Sequence, residues 1–251
     1  MNAFYDIIVL SPHLDDAALS CGGFLYSSTQ QGKTALVVTL MSGEPPKGPF
    51  SAFASRMHAR WDLAAQIVAQ RKQEDIEACQ VLGTDYYHAT IPDAIYRFDQ
   101  ATGSHFYTSN ELLFGKINLK DAELVIEKLF KIIQALPKHA QLLAPLTVGN
   151  HVDHQLVRTA VEQGYSGQVI YYEDYPYARE SNAVDTVIAN DRFKLEHHNI
   201  ALTNKQLEIK GESIAKFKSQ ISSFFNDRSD IDTKLKAYAS RVGGERQWTK
   251  P

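Results

Sequence analysis

The sequence predicts an α/β fold: a mainly parallel sheet with helices on both faces. Three observations carry the prediction. Short β-branched or aliphatic runs alternate with longer stretches of helical period, the pattern of βαβ units. Runs such as TALVVTL at 34–40 are apolar throughout, as strands covered on both faces are. Two runs lead through a short polar loop into a helix that opens with metal-ligand residues, at IIVLSPHLDDAAL and at LLAPLTVGNHVDHQLV.

The elements follow in order. DIIVLS (6–11) reads as the first strand, and Ala18, Cys21, Gly22 and Leu25 then recur at helical spacing, with Gly32 as the residue past the helix end. The 34–40 run is the second strand, SGEPPKGPF (42–50) is loop, and helical spacing returns from about Arg56 to Leu82, closed by Gly83. DYYHA (85–89) is a third strand. Residues 90–120 lack a sustained period and are too long for a simple connection, which predicts an active-site insertion or lid. DAELVIEKLFKIIQALPKH (121–139) is a helix with apolar residues at 125, 129, 132, 133 and 136, stopped before Pro137. QLLAPL (141–146) is a buried strand, TVGN a loop, and 151–164 a helix ending at Gly164. A strand in QVIYYEDYPYA, another near RFKLEHHNI, and helices over 204–225 and 230–241 complete the chain, with GGERQW (243–248) as a turn. No repeat or linker divides residues 1–251, so one domain is expected.

A chain of 251 residues can bury a substantial core, and 44% hydrophobic with 22% charged residues is ordinary for a globular protein. A net charge of −3 gives no electrostatic case for nucleic acid or an anionic membrane surface, so neither is an expected partner. The N-terminal stretch has no basic segment, long apolar run or small-residue cleavage site, and no integral membrane segment is read, which makes a cytoplasmic location the expectation. Two cysteines, Cys21 and Cys79, are too few for a disulfide framework and are read as small hydrophobes.

The polar clusters carry the chemistry. His13 and Asp16 are three residues apart, so a helical turn projects both from one side, while Asp15 points elsewhere. His151 and His154 repeat that spacing around Asp153. Two histidines and a carboxylate leave a fourth position open, as a catalytic Zn²⁺ requires. Read singly, an Asp pair at a helix start is an N-cap, and His-x-x-His on a helix is surface polarity or a satisfied core pair. Their placement at two strand-to-helix turns, where open α/β sheets bind ligands, favours one joint site.

These residues also carry a resemblance. PHLDD followed by GG, with HVDH far downstream, resembles the PIG-L/LmbE-like family of zinc-dependent N-deacetylases. RKQEDIEACQVLG (71–83) and KFKSQI (216–221) are similar to two further motifs of that family, so the likeness runs from near residue 5 to roughly residue 225. It implies a Rossmann-like domain with Zn²⁺ on His13, Asp16 and His154. It casts Asp15 as general base, His151 as the group stabilising the oxyanion, Asp153 as the partner orienting His151 and keeping it protonated, and Arg71 as a substrate contact. Many members have Pro and Glu where this chain has Leu14 and Ala17. The implied reaction is hydrolysis of an N-acyl group, most simply N-acetyl, on an amino sugar or glycoconjugate of the N-acetylglucosamine type. Related proteins are often homo-oligomers. Read from the residues, Arg71 is equally a surface or salt-bridge residue on a long charged helix.

Two alternatives stand beside that reading: a zinc hydrolase of another amide or ester bond, and a non-catalytic sugar-binding protein. The glycine-rich phosphate motifs and Gly-x-Ser-x-Gly are absent from the sequence, which disfavours phosphate chemistry and a serine esterase. The free carboxylate of Asp15 beside the ligands argues against a site that only binds.

Overall fold

The computed structural model describes residues 2–47, 50–60 and 67–251. Its sheet has seven strands in the order β3-β2-β1-β4-β5-β7-β6. They are β1 (Phe4–Ser11), β2 (Ala35–Thr39), β3 (Asp85–His88), β4 (Lys138–Pro145), β5 (Val169–Tyr172), β6 (Glu196–Ile200) and β7 (Glu245–Thr249). The first five pair in parallel; β7 runs antiparallel to both β5 and β6. The α/β, mainly parallel expectation holds.

Period-two alternation along β1 explains the layers. Ile8 and Leu10 face α5 (Leu119–Gln134) and α6 (Val152–Gly164), meeting Val125, Leu129, Leu156 and Ala160. Ile7 and Val9 face α1 (Asp16–Gln30) and α3 (Ile67–Leu82), meeting Ala18, Cys21, Leu25, Ala78 and Leu82. Ala17 lies in this second core, and both cysteines are buried as free thiols. A third cluster joins α2 (Ala52–Arg60) to the 90–120 stretch through Phe53, Ile95, Tyr96, Phe106 and Tyr107. The stretch is irregular as predicted, holding one 3₁₀ turn (Ala94–Tyr96) and the short α4 (Asn110–Leu113).

The strand order creates the position for a site. From β1 the chain steps outward to β2 and β3, then returns through α5 to place β4 on the other side of β1. The connections leaving β1 and β4 therefore diverge and open a crevice at the carboxyl ends of both strands, where such sheets bind ligands. His13 and Asp16 follow β1, and His151 to His154 follow β4.

Three readings need correction. The single helix expected over 204–225 stops early: α8 spans Asn204–Ile214, and a 3₁₀ turn covers Ile221–Ser223. The GGERQW turn is instead the end of α9 (Arg228–Val242), capped by Gly243 at φ 81°, followed directly by β7. Its polarity hid a strand because the buried Glu245 accepts from Gly23 N, Phe24 N and Lys210 Nζ, and Gln247 meets His198. The helix α7 (Ala183–Ala189) was not anticipated. The helical stretch expected over 56–82 falls partly on residues 61–66, outside the described residues, with α2 and α3 on either side.

Candidate active site

The turn after β1 is built to release a carboxylate. Asp15 occupies the N-cap position of α1 with φ 138°, a conformation costly for a residue with a Cβ, yet its side chain makes no cap hydrogen bond. Ser11 caps in its place, accepting from Ala17 N at 3.1 Å. Asp15 is left buried and lining a cavity of about 370 Å³ together with His13, Asp16, Arg71, Asp93 and His151. The N-cap reading of the Asp pair is thereby set aside.

Asp16 turns the other way. Its Oδ2 accepts from His13 N at 2.8 Å and lies 3.3 Å from both His13 Nδ1 and His154 Nε2. Donors held 2.0–2.2 Å from a tetrahedral ion stand about 3.3–3.5 Å apart, so these contacts have the spacing of a ligand set. Each histidine is fixed by a buried carboxylate on its other nitrogen: His13 Nε2 lies 2.9 Å from Asp153 Oδ2, and His154 Nδ1 lies 2.6 Å from Asp174 Oδ1. Such pairs set the tautomer and turn the remaining lone pair toward a metal.

The ring nitrogens of His13, His151 and His154 also come within 4.8 Å of one another. His151 is nevertheless the wrong tautomer for a ligand. It is the N-cap of α6, and its Nδ1 accepts the Asp153 backbone N–H at 3.1 Å. A neutral imidazole that accepts at Nδ1 carries its proton at Nε2, which leaves a donor and no free lone pair. Burial, then the charge on His13, hold His151 well below the ordinary histidine range. The expectation that Asp153 orients His151 and keeps it protonated is therefore corrected: the Asp153 carboxylate bonds His13, its backbone N–H bonds His151, and the pull of its charge on a His151 proton is outweighed by burial and by the charge on His13.

Charge is arranged unevenly around these groups. Burial, followed by the adjacent Asp16 charge, pushes Asp15 up to about 7, against the pull of Arg71 and His13. Asp16 goes the opposite way, well below the usual carboxylate range, because His154 and His13 outweigh its burial. Burial opposes a proton on His154, but Asp16 and Asp174 raise it to about 9. Two neighbouring acids thus have opposite proton affinities.

Residues that sequence reasoning missed complete the site. Asp174 follows β5, and its Oδ2 accepts Val148 N at 2.8 Å, which steadies the loop carrying positive φ at Thr147, Gly149 and Asn150. Gly149 must be glycine there: a Cβ would stand 2.5 Å from the Tyr177 ring. Arg97, buried in the 90–120 stretch, bonds both Asp121 oxygens at 2.8 Å and meets Asp153 Oδ1 at 2.6 Å. Asp174 had a signal, the second of two acids after an apolar run; Asp93 and Arg97 lie where no period marks them.

Arg71 is buried on α3 rather than on the surface, with Nη2 3.5 Å from Leu14 O and Nη1 3.9 Å from Asp93 Oδ2. One turn on, Glu74 accepts Ser219 N and Oγ at 3.0 and 2.5 Å, holding the segment that brings Gln220, Ser223 and Phe224 to the cavity. Of the aromatics in 90–120, Phe114 lines the cavity, against His151 at 5.2 Å and Tyr177 at 5.8 Å, while Tyr96, Phe106 and Tyr107 are core. A larger groove, about 850 Å³, lies along α6 and α7 and contains none of the seven predicted site residues.

Comparison with known proteins gives a family and a fold. The family model described as PIG-L, GlcNAc-PI de-N-acetylase, matches residues 8–165. The chain is 28% identical over 239 residues to the 2'-N-acetylparomamine deacetylase of Niallia circulans, covering 88% of this chain and 82% of that protein. It is 30% identical over 183 residues to the enzyme of the same name from Streptomyces fradiae, covering 71% of this chain and 60% of that one. A zinc-inhibited form of teicoplanin deacetylase superposes with a TM-score of 0.81 at 24% identity, over 97% of each chain, and so shares the fold.

Proposed function

The chain belongs to the PIG-L family, and on that premise we propose that it is a zinc-dependent N-deacetylase that removes an N-acetyl group from an amino sugar conjugate. One observation carries the reading: the Asp16 oxygen set 3.3 Å from two histidines, each locked by its own buried carboxylate, with Asp15 free beside them. Deacetylation of 2'-N-acetylparomamine by relatives of 28 and 30% identity supports the substrate class. In this reading residues 1–251 are one domain, and 90–120 is the insertion that lends Asp93 and Phe114 to the cavity. Among the described residues no helix is long and apolar enough to cross a membrane.

His13, Asp16 and His154 would hold the ion. Zinc bound there supplies Lewis acidity and a water whose pKa is lowered to about 7. The protein's own groups do the rest. Asp15, off the metal and with its pKa raised, takes the proton of the attacking water and returns it to the leaving amine. The Nε2–H of His151 donates to the acyl oxygen as charge builds there, a contribution of about 3 kcal/mol for one such donor. It acts as a neutral donor, which costs no buried cation. Arg71 sits in the cavity wall near Asp15, positioned to bind sugar hydroxyls.

The test is metal analysis of the purified protein together with acetate release from a panel of N-acetylated sugars, free and glycosidically linked. Bound zinc and acetate from a linked substrate are expected. Acetate from none of the panel, with zinc bound, would favour hydrolysis of another bond; neither zinc nor acetate would leave a sugar-binding protein.

A further inference from the structure

We infer that Arg97 keeps the centre to a single metal ion, by occupying Asp153, one of the two carboxylates of a second donor group that shares His13. The inference rests on the metal-dependent reading above. His13, Asp93 and Asp153 bring ligand atoms within 4.8 Å of one another, just as the three histidines do. His13 Nε2 lies 2.9 Å from Asp153 Oδ2 and 3.9 Å from Asp93 Oδ2. Two carboxylates and an imidazole are a competent set for a divalent cation by donor type. The same imidazole thus faces two groups, Nδ1 toward Asp16 and Nε2 toward Asp93 and Asp153.

What separates the groups is fixed positive charge. Arg97 Nη2 stands 2.6 Å from Asp153 Oδ1; Nε and Nη2 each bond an Asp121 oxygen at 2.8 Å, and Nη1 bonds Pro92 O at 3.0 Å. Tyr107 OH adds a bond to Asp121 at 2.9 Å. A guanidinium held by two fully buried carboxylates and a backbone carbonyl cannot swing out to admit a cation. Arg71 Nη1 lies 3.9 Å from the other carboxylate, Asp93. An ion entering the second group would meet both arginines and would have to displace the Nε2–H that His13 gives Asp153. Asp16, by contrast, spends its Oδ2 on the two imidazoles and the His13 backbone N–H. Arg97 is therefore a positioning residue: it holds Asp153 as an acceptor for His13 and denies it to a metal.

Zinc titration of metal-free protein against a competing chelator, with metal counted per chain, tests this. The native chain binds one ion even in large zinc excess. Arg97→Met combined with Asp121→Asn, which avoids leaving a bare carboxylate behind, binds two, and adding Asp93→Asn returns the count to one. A folded Arg97→Met/Asp121→Asn protein that binds one ion with native affinity overturns the inference. So does a native chain that takes up a second ion which Asp93→Asn alone removes, an arm that needs no substitution at Arg97. A native chain that binds no zinc at all overturns the metal-dependent reading instead.

Discussion

Two buried ionic clusters in this molecule are built on opposite principles. Where α8 meets α1 and β7, Lys210 and Glu245 pair at 2.6 Å, and the remaining Glu245 capacity is filled by Gly23 N and Phe24 N. Charge there is balanced one to one, and every group is spent on its neighbours. At the carboxyl ends of β1, β4 and β5, joined by Asp93 and Arg97 from the 90–120 stretch, the buried acids Asp15, Asp16, Asp93, Asp153 and Asp174 outnumber the arginines Arg71 and Arg97. Burying unbalanced charge is expensive, so an excess of acid around His13, His151 and His154 persists only with protons on His13 and His154 or with a cation in their place. Balance marks a structural cluster and imbalance marks a site.

Substitutions should separate the two. Asp16→Ala or His154→Ala abolishes bound metal and turnover together while leaving a folded protein, as metal counting and circular dichroism would record. Lys210→Met does the reverse: it leaves Glu245 uncompensated and costs about 3–5 kcal/mol of stability in denaturant titration, with one metal ion still bound. Metal loss in the Lys210 variant would erase the distinction. Asp174→Asn, which removes a carboxylate from His154 without touching a ligand atom, weakens metal affinity by about 10–100-fold. The smallest effect is on pH dependence of the metal-free protein. His154 is raised to about 9 when folded against an ordinary value near 6.5, so the stability it contributes is fully present below about 6.5 and is lost as pH rises through 9. Thermal melts of metal-free protein should therefore fall across that window, and the slope should vanish when zinc occupies the ligands.

Much of the fold was legible because β1, β2, β4 and β5 carry apolar runs and α1, α3, α5, α6 and α9 end at or near glycine or proline. The strand inside that far edge was not: β7, between β5 and β6, carries Glu245 and Gln247 into the core, and their polarity is hidden only by partners distant in sequence. The same limit applied to the site. Residues tied by local spacing, His13 with Asp16 and His151 with His154, could be paired by eye. Which carboxylate serves which imidazole could not, because Asp153 reaches across to His13, 140 residues away, rather than to the histidine beside it. Arg97 and Asp93 come from a segment without a period, and only the folded chain places them. Leu14 and Ala17, where the family pattern differs, pack as buried apolar residues beside the ligands without altering them.

In the proposed function the adjacent acids at 15 and 16 have separate duties, one moving protons and the other holding metal. Asp15→Asn measures that division most directly, by zinc content and acetate release from the best substrate on the same preparation. One zinc per chain with near-native affinity is expected, with turnover lower by about 10²–10⁴-fold, the range general acid–base groups contribute. Near-native turnover with zinc bound would contradict it, as would loss of the metal.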